Sequence, residues 1–288
     1  MRERVKQAME ELASRPRLKR INLTDSDARL MKSRQGIVPS FNAQAVVSRV
    51  LVPGEASAML VTAADACADP DDHAQLIPML EQAEEITGTE APLTLADAGY
   101  HSGKNLKECA RTGRHVIVPD SKRKTLANPY HKDRFVYDET SDSYICPKGQ
   151  RLRFTRYIQT NTARVRLYRA SAGVCLSCPA FGECTIDRVH GRGIGIGPHD
   201  EILRRHRALM ATDEAKRASR RRGQLIEPVF GILKEQMGLR RFLLRGVVNV
   251  AAEWTLSATA FNLRTLWRVW RFRSLSHPPI GPRLSPAA

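Results

Sequence analysis

The run Leu93-Thr94-Leu95-Ala96 is apolar and stops abruptly at Asp97. Ala98, Gly99 and Tyr100 follow, and Gly99 lets the chain turn sharply. The pattern predicts a buried strand over 93–96 with a carboxylate at its carboxyl end. Ligands gather at such ends in open α/β sheets. The competing reading of Asp97 is a cap on the next helix. Around this stretch the sequence alternates. Residues 41–50 and 56–62 predict two strands joined across Pro53-Gly54. Asp69-Pro70-Asp71-Asp72 opens a helix, with Asp72 in the N-cap region and Leu76, Ile77, Leu80 and Ala83 on its buried face. Pro78 should bend that helix, and Gly88 ends it. A helix over about 103–111 ends at Gly113, and residues 115–118 form another short strand. Alternation of this kind predicts a mixed α/β sheet.

Residues 119–200 break the alternation. A basic loop, Ser121-Lys122-Arg123-Lys124, leads into two expected hairpins, 134–138 with 143–146 and 151–158 with 164–169. Arg151 and Arg153, and likewise Arg164 and Arg166, stand at strand spacing, so each pair shares a face. Tyr157 and Tyr168 continue those two rows. Arginines interleaved with aromatics suit contact with a nucleic-acid backbone, and suit an ordinary wet sheet face equally well. Cys146, Cys175, Cys178 and Cys184 fall in the same region. Four thiolates complete a tetrahedral zinc site; the alternative is a set of reduced, buried thiols. Cys67 and Cys109 read as plain core residues.

The ends of the chain are helical and charged. Residues 1–14 predict a helix with Val5, Ala8, Met9 and Leu12 on a narrow apolar face, followed by a basic linker broken by Pro16. Asp25 and Asp27 flank Ser26 and suit a turn cap better than a metal contact. Residues 201–222 predict a very basic helix. Beyond it, helical spacing puts Glu227, Phe230, Gly231 and Lys234 on one face. Pro228 should kink or restart the helix there. A long helix over about 247–270 offers Val247, Val250, Ala251, Trp254, Ala258, Phe261 and Leu266 to cover the sheet. Pro278, Pro279, Pro282 and Pro286 mark a disordered tail.

The net charge of +16 is unevenly spread. Residues 51–100 hold ten Asp or Glu and no Lys or Arg, whereas residues 201–288 sum to +11. A basic protein with an acidic pocket suits a nucleic-acid partner plus cations. No secretory signal and no membrane span is expected, because Asn249, Glu253, Asn262 and Arg264 interrupt the most apolar late stretch. Six cysteines without a signal point to a reducing, cytoplasmic setting and to metal over disulfides.

Ala96-Asp97-Ala98-Gly99-Tyr100 and the basic run leading to Glu227, Phe230-Gly231 and Lys234 resemble the DDE transposases of bacterial insertion sequences. Asn22-Leu23-Thr24-Asp25-Ser26-Asp27-Ala28-Arg29-Leu30-Met31 and Phe41-Asn42-Ala43-Gln44-Ala45 resemble the family too. The resemblance implies a ribonuclease-H-like mixed sheet, with a β-rich insertion between the second Asp and the Glu. It implies a charged segment at 1–20, a catalytic domain over 21–120 and 201–270, the insertion at 121–200 and a tail at 271–288. Asp97 and Glu227 would be two of three ligands to magnesium or manganese, serving phosphodiester cleavage and strand transfer. Lys234 would contact a phosphate, as would Arg222, the nearest counterpart of the family's arginine before the Glu. Arg151, Arg153, Arg164 and Arg166 would face the DNA. Partners would be double-stranded DNA, as transposon ends and target, and further copies of the complete chain. The family's first Asp lies in an Asp-Gly-Thr-Lys-like strand upstream of Asn22, and no such strand is present. The expectation is therefore a sheet lacking its central strand, in a truncated transposase inactive by itself. The other readings are a non-catalytic DNA-binding protein derived from a transposase, for which the basic C-terminal third suffices, and a zinc-stabilised structural module.

Overall fold

The computed structural model describes residues 2–15, 18–33, 36–50, 58–120, 127–160 and 163–276. The Pro53-Gly54 turn, Pro16, the basic loop Ser121–Lys124 and the proline-rich tail lie outside them. In chain order the elements are α1 (Arg2–Ser14), β1 (Arg29–Ser33), β2 (Gly36–Ser40), β3 (Asn42–Val50), β4 (Ala58–Cys67), α2 (Leu76–Thr87), β5 (Thr94–Leu95), α3 (Gly103–Thr112) and β6 (Val116–Ile117). Then come β7 (Val136–Asp138), β8 (Ser143–Ile145), β9 (Arg151–Gln159), β10 (Arg164–Arg169), α4 (Ala172–Leu176), β11 (Gly193–Ile196), α5 (Asp200–Ala211), α6 (Asp213–Gly231) and α7 (Val247–Ser276). The chain forms two compact units: residues 1–95 with 217–288, and residues 96–216.

The first unit is built on β4. Its residues 61–64 are buried in succession rather than alternately. A strand covered on both faces has no solvent side to alternate towards. On one face Val61 and Ala64 meet Val229 and Leu233, and Trp254, Ala258 and Phe261 of α7. On the other, Ala63 meets Met79 and Ala83 of α2. β4 pairs antiparallel with β3 along its length, with a bulge beside Val46, while β1 and β2 form a separate hairpin. Among the described residues no third strand joins the β3–β4 ladder. Side chains of α7 reach strand backbone groups instead. Asn262 accepts from the Val61 amide at 2.8 Å and donates to the Val61 carbonyl at 2.7 Å. The Trp254 indole donates to the Gln44 carbonyl at 2.6 Å. Each such bond satisfies a backbone group that is costly to bury unpaired.

Several local expectations are corrected here. Helix α2 starts at Leu76, with Gln75 as its N-cap. The Asp72 carboxylate instead accepts from Asn42 at 2.7 Å and from Gln44 at 2.8 Å. Met79, not Ile77, shares the buried face, and Pro78 sits in the first turn, where its missing N–H costs nothing. The strand before Asp97 covers only Thr94–Leu95, and Leu93 is 46% exposed. Helix α6 runs unbroken through Pro228 and ends in a π-helical turn, Ile232–Gln236. The buried row of α7 passes through Val250, Trp254, Ala258, Phe261 and Thr265, leaving Leu266 exposed. Asp25 and Asp27 do cap: they accept from the Gly246 and Val247 amides at 3.2 and 3.1 Å, at the start of α7. Cys109 is buried as expected, but Cys67 is only partly so.

The second unit holds a five-stranded antiparallel sheet in the order β11-β10-β9-β8-β7, which bears out both expected hairpins. Its core gathers Phe135, Tyr144, Leu152, Tyr168, Cys175 and Ile194. The basic segment expected as one helix over 201–222 is two, α5 and α6, broken at Thr212, whose hydroxyl caps α6 through the Ala215 amide at 3.2 Å.

Candidate catalytic and nucleic-acid-binding residues

Asp97 is exposed at the end of its short strand. The preceding Ala96 amide donates to the Ile117 carbonyl at 3.0 Å, which fixes the chain where the strand stops. The Asp97 carboxylate accepts from the Ala98 amide at 2.5 Å and caps a single 3-10 turn, Ala98–Tyr100. Its capping role is therefore what the local geometry provides, and the carboxylate still faces solvent. Asp97 belongs to the second unit.

Glu227 belongs to the first unit and is exposed on α6. Its side chain folds back over the preceding turn. A Cβ built on Gly223 would lie 2.8 Å from a Glu227 carboxylate oxygen. The glycine between Arg222 and the carboxylate is thus the residue that leaves room for it. Arg222 itself is half-buried. Lys234 is exposed on the π-helical turn, and its ammonium lies 5.5 Å from the centre of the Phe230 ring. Phe230 stacks on Trp254 at 5.6 Å, so the Lys234 stem is braced against the core. π-turns inserted in helices recur at functional sites, and this one directly follows the segment that bears Glu227.

The four insertion arginines divide between two faces. Between the Phe154–Tyr168 and Arg156–Leu167 pairs, β9 contributes one residue more than β10. The extra residue is Thr155, and a bulge of this kind flips the side chains beyond it. Tyr157 therefore leaves the row of Arg151 and Arg153 and joins Phe154, Arg164 and Arg166. The Arg164 guanidinium lies 4.0 Å from the centre of the Tyr157 ring. Arg166 sits over both Phe154 and Tyr168 and pairs with Asp142 at 2.5 Å. Tyr168 does not continue an exposed row. It is 1% exposed, and its hydroxyl donates to Asp142 at 2.8 Å. On the other face Arg151 pairs with Asp138 at 2.7 Å, while Arg153 is exposed. Arg156, also exposed, is a basic residue that strand spacing alone did not single out.

Part of the basic charge of 201–222 is turned inward. Asp200, 4% exposed, takes Lys132 and Arg204, and Arg204 also donates to the Lys132 carbonyl at 2.9 Å. Burial would raise the Asp200 pKa, but the Arg204 and Lys132 contacts outweigh it and hold the carboxyl below its ordinary range. Arg207 pairs with Asp133, and its guanidinium is 3.9 Å from Asp120. Charge counting could not separate Arg207 from solvent-facing arginines, because its acidic partners lie far away in sequence, whereas Asp200 stands one helical turn before Arg204.

A histidine group in the second unit was likewise not legible. His206 of α5 lies with its Nε2 3.0 Å from the Val118 carbonyl, and its ring is 5.8 Å from that of His101. His101 Nε2 and His199 Nδ1 are buried without a hydrogen-bond partner. Burial lowers the pKa of both His101 and His206, against the pull of Asp120.

All four insertion cysteines line one cavity, together with Tyr130 and Arg192. None of the six cysteines is in a disulfide. Burial raises the pKa of the Cys184 thiol, and the other three cysteines add to that effect. Among the described residues, no three His, Cys, Asp or Glu side chains already stand in a geometry that could hold a metal ion. Also among them, no helix is long and apolar enough to cross a membrane.

These features define an α/β protein with exposed carboxylates and an arginine-rich, aromatic-bearing sheet, suited to a polyanionic partner. Residues 145–267 match a family model described as a transposase DDE domain. The match supports a DDE-type transposase and, in general terms, transposition and a DNA partner. It spans the four cysteines, the β9–β10 arginines, Glu227 and Lys234, whereas Asp97 lies outside it. No curated protein and no solved structure matches the chain.

Proposed function

We propose that this chain derives from an insertion-sequence transposase and carries part of its metal-dependent phosphodiester chemistry, that of cleavage and strand transfer, on a ribonuclease-H-like domain that does not act by itself. The observation that carries the reading is the transposase match together with what stands inside it: Glu227 exposed on a basic helix, with Lys234 exposed on the next turns. Asp97 and Glu227 supply hard carboxylate oxygens, the donors magnesium or manganese takes. A divalent ion taken up by carboxylates of this kind would supply activation of the attacking oxygen and stabilisation of the leaving one. Glu227 is held over Gly223, and Lys234 is held on Phe230, where its ammonium suits a phosphate beside the cut. Arg164 contacts a DNA phosphate, with Tyr157 on the same face of the sheet offering a ring for stacking, while Arg153 and Arg156 stand on the opposite face.

The test uses the purified full chain with duplex DNA carrying the element's ends. Asp97→Asn and Glu227→Gln should each weaken magnesium binding while leaving DNA affinity intact. Arg164→Ala and Lys234→Ala should each flatten the salt dependence of binding by about one unit of slope. DNA binding with no magnesium binding by the unaltered chain would favour the second reading, a non-catalytic DNA-binding protein. That reading draws on the basic C-terminal third, in which residues 201–288 sum to +11. Unchanged affinity and slope in both cation variants would remove the DNA-facing role of these residues.

A further inference from the structure

The connection from β10 to β11, residues 170–192, has one helix of five residues, α4, as its regular structure. Long connections of this sort hold a single shape only when something ties them down. Three of the four clustered cysteines lie in it, and the fourth, Cys146, sits at the end of β8 in the neighbouring hairpin. The topology therefore gathers onto one cavity four sulfurs from two separate segments.

The backbone around two of these sulfurs is shaped for anionic sulfur. In Cys146-Pro147-Lys148-Gly149-Gln150, the Lys148 and Gln150 amides both donate to Cys146 Sγ, at 3.4 and 3.2 Å. Gly149 closes that turn at φ 78, a backbone state that other residues adopt only with strain. A neutral thiol is a weak acceptor, so two amides aimed at one sulfur suit a thiolate. The Arg192 amide donates to Cys175 Sγ at 3.2 Å. This approach needs Gly191, because a Cβ there would lie 3.2 Å from the same sulfur and 3.0 Å from the Ala170 carbonyl. Cys178 follows Cys175 through a tight turn in which its amide donates to the Cys175 carbonyl at 3.1 Å. Arg192 brings a cation to the cavity wall, donating to the Cys184 and Tyr130 carbonyls. A zinc ion with four thiolates carries a net double negative charge, which a fixed guanidinium beside it offsets.

We propose that Cys146, Cys175, Cys178 and Cys184 form a structural zinc site that clamps the 170–192 connection onto the hairpin of β7 and β8. The side chains do not yet stand in coordinating geometry, so the ion draws the four sulfurs together on binding. Hard oxygen-seeking metals are excluded by the donor set, since thiolates select zinc and other soft or borderline ions. The site is separate from the transposase reading and stands or falls independently of it.

The test uses the full chain purified without chelator. Elemental analysis should give about one zinc per chain. Cys178→Ser and Cys184→Ser should each remove it, and Cys67→Ser, outside the cluster, should not. Should the cluster variants fail to fold, cobalt(II) exchanged into the unaltered chain decides the matter. Sulfur-to-cobalt absorption with the intense visible bands of a tetrahedral site supports the proposal. A folded chain that carries no zinc and gives only the pale spectrum of octahedral cobalt overturns it.

Discussion

Asp200 shows how much a single side chain can carry in this protein. It is a nearly inaccessible carboxylate held by two cations, Lys132 and Arg204, of which Arg204 also lies 3.8 Å from Asp133. Asp200→Asn keeps the shape and removes the charge. Breaking a buried pair by removing one partner costs about 3–5 kcal/mol, because the remaining charge is left uncompensated. Urea unfolding of the variant should show that loss, and an unchanged midpoint would mean that Lys132 and Arg204 are solvated without it. The histidines act in a different pH window. Burial depresses the pKa of His101 and His206, so the folded state binds fewer protons than the unfolded one below about pH 6.5. Their contribution is complete above that value and is lost as pH falls towards their folded pKa values. Asp200, with its own pKa depressed, keeps its ion pairs throughout that window. Stability should therefore decline on acidification from pH 7 to pH 5.5, and His206→Gln should flatten the decline.

Among the elements, α7 is the most heavily anchored. Its first turn is capped by Asp25 and Asp27, two carboxylates brought from the other end of the sequence, and its middle is tied to β4 by Asn262. A carboxylate suits a helix start both as an acceptor for its free amides and as a counter to the helix dipole. Asp27→Ala should cost about 1 kcal/mol, read from the thermal midpoint at two salt concentrations, and no loss would mean that water replaces the cap. The preference for a capping role was legible from Asp25-Ser26-Asp27, but the helix it serves was not, since capping usually acts on the next residues along. The same limit applies to Asn42 and Gln44. They read as strand residues of one face, yet what they do is hold Asp72 across the hairpin. Strands and hairpins whose signal is local were readable, as in β7 to β10. The Thr155 bulge was not, because one inserted residue leaves no mark on composition while it moves Tyr157 to the opposite face.

Across the whole molecule, the sequence located groups better than it located their company. Asp97, Glu227 and Lys234 are all exposed, which leaves them accessible for the roles proposed above. The four cysteines, spread from 146 to 184, do line one cavity. By contrast, not all of the positive charge of 201–222 faces outward. Arg204 and Arg207 spend their charge on Asp200 and Asp133. Pairs of this kind are already cancelled within the net +16, so the surplus that a partner meets is carried by other side chains.

The first unit is assembled from two stretches of chain, 1–95 and 217–288, with the whole of the second unit encoded between them. During synthesis the ribosome makes β3 and β4 early and the helix that covers them last. Until α7 emerges, Val61 and Ala64 lack the Trp254, Ala258 and Phe261 surface that buries them, and the Asp25 and Asp27 carboxylates have no helix to cap. Contacts this distant in sequence form slowly, since the loop between them must close before they contribute. The nascent chain must therefore keep an adhesive hairpin out of trouble while an entire second unit is being translated. In such a chain, the order of synthesis sets the period of greatest exposure to aggregation.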